Sequence, residues 1–278
     1  FQGHGEAAPL PGFGLETFSE SLTALQNWVK NPNRLPDAPA ARSAAATAIE
    51  NLEKARSSSA PTSGKIAVQA LVGSSESSSI ESEVSHALNQ GHLAIKVKVA
   101  ASDTKTDIAR IQSAIKLVGS EAALRLDANG GWSLEDALYV LSAVDSDDVD
   151  LVEEPTANPL DWKKVSEETG VKIGADEQLT DELQVHQLIK YGAAQTFVLK
   201  PSVIGGPPAT RKVAELARTN DIDILISSFL DGPIALRSAR DLAMELAPNE
   251  IHGLGTASLF IDKFPADVVP NNGFLRCP

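Results

Sequence analysis

Two lysines stand two residues apart in the run Ala94–Val99, at Lys96 and Lys98, and three acids recur further along the chain, at Asp127, Glu153 and Asp176. Asp127 lies within Arg125-Leu126-Asp127-Ala128-Asn129, Glu153 opens Glu153-Glu154-Pro155, Asp176 is followed by Glu177, and Lys200-Pro201 closes the series. A lone carboxylate at a strand end is ordinarily solvated or held in a weak surface ion pair. A succession of them is different, because an unpaired buried charge costs several kcal/mol and three neighbouring carboxylates repel unless a cation sits between them. Asp127, Glu153 and Asp176 are therefore expected to hold Mg²⁺, with Mn²⁺ as a substitute. Hard oxygen donors without a nearby Cys or His disfavour zinc. A lysine ammonium is mostly charged at neutral pH, and neighbouring cations with partial burial favour the free amine. Lys98, beside Lys96 and a divalent metal, is thus expected to remove a proton from carbon next to a carboxylate, the metal stabilising the enediolate that forms.

Such residues need a scaffold that brings strand ends together. From Lys65 onward, short β-branched runs alternate with amphipathic stretches: 66–72, 94–99, 124–128, 150–153, 172–175, 195–199, 223–227 and 251–254. Their centres fall roughly 22 to 29 residues apart, the spacing of strands that return parallel through a right-handed helical crossover. Eight such units favour a closed α/β barrel, with a doubly wound open sheet as the alternative. Side chains alternate along a strand, so Lys96 and Lys98 share one face, as do Arg125, Asp127 and Asn129. By the same rule Glu154 and Glu177 point away from their neighbours and read as supporting residues. All the charged groups then gather at the C-terminal mouth, where barrel active sites are built.

Residues 1–62 read differently. Pro9-Leu10-Pro11-Gly12-Phe13-Gly14 forms an irregular loop, Phe18, Leu22, Leu25 and Val29 share one helical face, and Ala38–Ala55 is a second, alanine-rich helix stopped by Ser57-Ser58-Ser59-Ala60-Pro61. The expected division is a helical cap over 1–62, lacking strands that would precede it, and a catalytic barrel over 63–278 whose tail returns to the cap. The start lacks Met and suggests a chain without its natural N-terminus.

With 24 Lys and Arg against 37 Asp and Glu the net charge is −13, which disfavours nucleic acid as a partner. No apolar run is long enough for a membrane span, and a cytoplasmic, monomeric protein acting on a small carboxylate is expected. Cys277 is the only cysteine, so neither an internal disulfide nor a cysteine metal site is available. Gly205-Gly206 reads as a turn, and Trp132 and Trp162 as packing residues. His86, His92 and His186 lie in or beside helices, while His252 sits on the last strand.

Lys96-Val97-Lys98, Asp127-Ala128-Asn129, Glu153-Glu154-Pro155, Asp176-Glu177 and Lys200-Pro201 together resemble the enolase superfamily, in its muconate-lactonizing-enzyme-like branch. Within that branch, Pro9–Gly14, Arg125–Asn129 and Gly253-Leu254-Gly255-Thr256 are similar to the o-succinylbenzoate synthase family of menaquinone biosynthesis. The resemblance implies a (β/α)7β barrel with an α+β cap. It further implies Mg²⁺ on Asp127, Glu153 and Asp176, and a syn dehydration of 2-succinyl-6-hydroxy-2,4-cyclohexadiene-1-carboxylate, making the protein a hydro-lyase. Lys98 would act as base and then acid, and Lys200 would stabilise the ring and enediolate by charge and cation–π interaction. Lys96, Arg125 and Asn129 would contact substrate, with Ser227, Ser228, Gly253 and Gly255 lining the succinyl pocket. Phe229-Leu230-Asp231-Gly232 departs from the Glu-Ser pair of many members.

Three other readings stay open. The same site could serve an N-acylamino-acid racemase or dipeptide epimerase that uses both lysines. Lys200 could form a Schiff base in an aldolase. The barrel could also bind ligand without catalysis.

Overall fold

The computed structural model describes residues 1–10, 12, 16–57, 63–73 and 79–277. Two helices come first, α1 (Phe18–Lys30) and α2 (Pro39–Ser57). Thr17 and Glu20 start α1 with reciprocal side-chain to backbone bonds. The expected apolar stripe is present, but Phe18, Leu22 and Val29 are exposed while Ser21 is buried. Ser58–Pro61, the expected stop after α2, lies outside the described residues, as do Pro11, Phe13 and Gly14.

The first expected barrel strand is broken at Gln69 into β1 (Gly64–Val68) and β2 (Ala70–Val72). After α3 (Ile80–Asn89), a parallel sheet runs in chain order from β2 through β3 (Ala94–Lys98), β4 (Ala123–Asp127) and β5 (Leu151–Glu153). It continues through β6 (Ile173–Ala175), β7 (Thr196–Leu199) and β8 (Asp223–Ile226). The helices between them are α4 (Thr104–Val118), α5 (Leu134–Leu141), α6 (Pro159–Thr169) and α7 (Glu182–Tyr191). After β7 come α8 (Pro201–Ile204) and α9 (Pro207–Arg218), and after β8 comes α10 (Pro233–Leu246). The ring closes through β9 (Ile251–His252), which pairs in parallel with β1 while Ser227 bridges Gly253. This is the expected (β/α)7β barrel. The tail adds one more strand, β10 (Phe274–Cys277), which runs antiparallel to β1.

Local chemistry sets the start of the helices around the mouth. Asp103, Ser133, Asn158 and Asp181 each accept a backbone N–H at the start of α4, α5, α6 and α7. Each cap, worth about 1 kcal/mol, lies in a loop leaving a strand's C-terminal end, so helix initiation and mouth geometry are set together. Ile95 and Val97 are fully buried on the face opposite the lysines.

The N-terminal helices are fixed to the barrel. Arg211 on α9 meets Glu50 of α2 at 2.8 Å and Glu245 of α10 at 2.7 Å. Gly206, at φ 91°, approaches α2 so closely that a Cβ there would lie 2.9 Å from the Ser43 Cα. α2 thus packs on the turn that follows Lys200. Among the described residues no helix is long and apolar enough to cross a membrane.

Candidate active site

Register brings the reactive groups to the same end of adjacent strands. Lys98 is opposite Asp127, Asp127 is opposite Glu153, and Glu153 is opposite Gly174, two residues before Asp176. Carboxylate oxygens of Asp127, Glu153 and Asp176 lie within 4.8 Å of one another, and all three residues are buried. Lys96 Nζ donates to Glu153 Oε2 at 2.6 Å and lies 2.7 Å from Asp127 Oδ2. Lys98 Nζ donates to Asp127 Oδ2 at 2.6 Å and to Asn129 Oδ1 at 2.5 Å. From the other side, Lys200 Nζ lies 2.7 and 2.8 Å from the two Asp176 oxygens and 3.1 Å from Glu177 Oε1.

Burial works to raise the Asp127 carboxyl, but the ammoniums of Lys96 and Lys98 outweigh it and hold it below the ordinary range. Burial likewise opposes charge on Lys96 and Lys200, and is overcome by Glu153, Asp127 and Asp176 around the first and by Asp176 and Glu177 around the second, so both are raised. Glu153 Oε1 is buried without a hydrogen-bond partner. An orphaned anionic oxygen beside two further carboxylates is a donor set suited to a hard divalent cation, so the residues fit the Mg²⁺ expected of them.

Backbone strain is concentrated here as well. Asn129 and Glu154, neither of them glycine, hold φ at 45° and 42°, directly after the strands that carry Asp127 and Glu153. Glu154 plays the supporting part expected of it. Its Oε1 accepts the N–H groups of Asp176 and Gln178 at 3.0 and 2.8 Å, so the second residue of the Glu-Glu pair anchors the loop bearing the third carboxylate. Burial, then the nearby Glu177, pushes its carboxyl up to about 8.

Two expectations change. Glu177 does not turn away: its Oε1 meets both Asn129 Nδ2 and Lys200 Nζ, because β6 ends at Ala175 and strand alternation no longer governs the loop beyond it. Arg125 is not brought to the mouth. Its guanidinium is spent on Asp150 at 2.7 Å, Gln69 at 2.9 Å and the Ile251 carbonyl at 2.6 Å, one layer below the carboxylates, where it braces the barrel interior.

Ser227, Ser228, Gly253 and Gly255 do come together, on the wall made by the ends of β8 and β9. Ser227 and Ser228 both donate to the Gly253 carbonyl at 3.1 Å, and Ser228 also bonds Thr256 at 2.8 Å. A Cβ on Gly253 would lie 2.5 Å from Ser227 Oγ, so any larger residue there would displace the serine hydroxyl. His252 lies beneath this wall, fully buried. Asp231 carries no sequence signal as a site residue. It is buried, accepts from Ser202 Oγ at 3.2 Å and Phe229 N at 3.0 Å, and is raised to about 6 by burial. Trp132 and Trp162 pack as expected, their ring N–H groups bonded to Asp107 and to the Thr156 carbonyl.

Comparison with known proteins agrees with this geometry. Residues 79–278 match the family described as enolase C-terminal domain-like. o-Succinylbenzoate synthase of Vibrio cholerae serotype O1 is 31% identical over 270 residues, 92% of this chain and 78% of that protein. The chain belongs to the enolase superfamily. L-Ala-D/L-Glu epimerase of Bacillus subtilis is 31% identical over 160 residues, covering 56% of this chain and 44% of that one. A crystal structure of dipeptide epimerase from Enterococcus faecalis V583, complexed with Mg and dipeptide L-Leu-L-Tyr, superposes with a TM-score of 0.84 at 21% identity, covering 98% of this chain and 88% of that one. The protein is thus a superfamily enzyme with a buried three-carboxylate site for a divalent metal.

Proposed function

We propose that the protein is an o-succinylbenzoate synthase, a hydro-lyase of menaquinone biosynthesis that converts 2-succinyl-6-hydroxy-2,4-cyclohexadiene-1-carboxylate to o-succinylbenzoate and water. The observation that carries this reading is the inequality of the two lysines. The Lys98 side chain is 30% exposed, whereas Lys200 is 12% exposed, with both Asp176 and Glu177 at its ammonium and the Phe229 ring 5.8 Å away. One accessible lysine and one enclosed one suit chemistry on a single face of the substrate.

A divalent cation on Asp127, Glu153 and Asp176 would supply positive charge against the substrate carboxylate as negative charge builds there. Lys98 Nζ takes the proton from the carbon bearing that carboxylate, and the C–H electron pair moves into an enediolate. Collapse of the enediolate breaks the bond to the ring hydroxyl on the same face. Lys98 returns its proton to the departing oxygen, water leaves, and the ring becomes aromatic. Lys200 keeps its proton and offers charge to the ring, while Asn129 orients Lys98. Ser227, Ser228 and the glycines of the β8–β9 wall are suited to an uncharged or hydrogen-bonding part of the succinyl chain.

The alignment over most of the chain with a synthase supports this choice. So does the wall itself, whose Asp231 is buried on Ser202 and the Phe229 N–H instead of being presented to a dipeptide ammonium. A second reading, N-acylamino-acid racemase or dipeptide epimerase, is favoured by the entry of Lys98 and Lys200 from β3 and β7, on either side of the three carboxylates. Incubation with Mg²⁺ and the cyclohexadiene, and separately with an N-succinyl amino acid in heavy water, tests both. Aromatisation with release of water is expected. Rapid α-deuteration with inversion and no aromatisation would replace the synthase by the racemase.

A further inference from the structure

We infer that Asp107, on the outer helix α4, is a positioning residue that sets Lys98 against Asn129. The inference rests on Lys98 being the base in the reaction proposed above. Asp107 is fully buried, and a single oxygen, Oδ2, accepts two hydrogen bonds at 2.9 Å, from the Ala100 backbone N–H and the Trp132 indole N–H. Its other oxygen has no partner. Ala100 is two residues beyond Lys98, and Trp132 is three beyond Asn129. One atom therefore ties together the two loops whose preceding residues meet at the Lys98 ammonium.

The surroundings make this tie directional. Ala100 holds φ at 64°, a left-handed conformation a non-glycine residue keeps only when its neighbours enforce it, and the bond from its N–H to Asp107 is such a constraint. The loops touch at Gly131, where a Cβ would lie 2.8 Å from the Ala100 Cβ. One helical turn after Asp107, Arg110 donates to the Lys98 carbonyl at 3.3 Å. α4 thus grips the chain at Lys98 and again at Ala100. Packing a helix on a sheet needs only apolar contact, and a buried carboxylate is costly beside an apolar residue of similar size. A group kept at that cost, with both donors drawn from the loops after the base and its orienting amide, fits control of where Lys98 Nζ sits. Proton transfer is sensitive to that position, since a displacement of about 1 Å can cost about 100-fold in rate.

The test uses the full chain loaded with Mg²⁺ and labelled with ¹³Cε-lysine, the Lys98 signal being assigned by its loss in Lys98→Arg. Asp107→Ala and Trp132→Phe should shift the Lys98 signal. They should lower kcat for the cyclohexadiene by about 100-fold and about 5-fold respectively, with KM within about 2-fold and Mg²⁺ affinity by calorimetry unchanged. Asp107→Asn keeps one oxygen for both donors and should restore the signal and bring kcat within about 3-fold of the parent. An unmoved Lys98 signal in Trp132→Phe, or an Asp107→Asn that behaves like a loss of both bonds, would overturn the proposal. If Asp107→Ala does not fold, Trp132→Phe and Asp107→Asn decide alone. If the parent fails to aromatise the substrate, the synthase reading falls, while the Lys98 signal still decides whether Asp107 positions that lysine.

Discussion

The two halves of the barrel mouth are built on opposite principles. From β3 to β7 the strand ends present three lysines and four carboxylates that neutralise one another within 2.6 to 3.1 Å. Across the mouth, β8 and β9 present serine, threonine and glycine, and their buried titratable groups, Asp231 and His252, lie below the surface. The charged half can organise a cation and move a proton. The neutral half can only shape and solvate what lies against it. In the reaction proposed above, catalytic power and substrate choice fall to different strands, an arrangement by which one metal site can serve several reactions.

The largest effect should come from the charged half. Asp127→Asn, Glu153→Gln or Asp176→Asn should each abolish turnover and weaken Mg²⁺ binding in calorimetry, because each removes one charge from a three-carboxylate site. Near-normal activity in any one of them would remove that residue from the ligand set. Glu154→Gln should be milder, since an amide oxygen can still accept the N–H groups of Asp176 and Gln178.

Next in size is the difference between the two lysines. Lys98→Ala should lose both dehydration and α-proton exchange by about 10² to 10⁴, the range for removing a general base. Lys200→Arg keeps charge beside Asp176 and Glu177 but cannot act as a base at neutral pH, so its loss should fall short of about 10² if the lysines are unequal in the way their exposure indicates. A folded, Mg²⁺-binding Lys200→Arg with no turnover would make the two sides equivalent and favour the two-base racemase.

The charged half was also the legible half. Charged residues at strand ends violate the apolar pattern of a buried parallel strand, and a violation is visible without a structure. Lys96, Lys98, Asp127, Glu153, Asp176 and Lys200 all stand out that way, and the fold brings them together. Alternation holds only as far as the strand does: beyond Ala175 it points Glu177 to the wrong side. Nor does alternation encode depth: Arg125 shares a face with Asp127 but sits one layer lower, paired with Asp150. Asp107 gave no sequence signal, because an aspartate in the first turn of a helix is ordinary there and only the fold brings Trp132 and Ala100 to it. The turn at Gln69 that splits the first barrel strand was equally silent.

The smallest effect belongs to the neutral wall and concerns stability rather than rate. His252 Nδ1 accepts the Ile226 N–H at 3.1 Å, and Nε2, 3.0 Å from the Ala247 carbonyl, is then the donor, a pattern that requires the neutral imidazole. Burial, reinforced by the Arg125 guanidinium that bonds the Ile251 carbonyl, lowers its pKa from 6.5 to about 4. In the unfolded chain the imidazole takes up a proton as pH falls below about 6.5, whereas the folded protein does not until about 4, so the unfolded state binds more protons in that window. The contribution of His252 to stability is therefore complete above pH 6.5 and is lost as pH falls toward 4, amounting to about 3 kcal/mol for a shift of this size. His252→Asn retains an acceptor for Ile226 but cannot titrate. Urea unfolding of both proteins at intervals from pH 7 to pH 4 should give stability curves that cross on acidification, the variant being less stable at pH 7 by about 1 kcal/mol and the more stable of the two near pH 4. Parallel curves would mean that His252 takes up its proton at the same pH folded and unfolded, so that the wall beneath Ser227 would carry a charge once the pH falls below about 6.5.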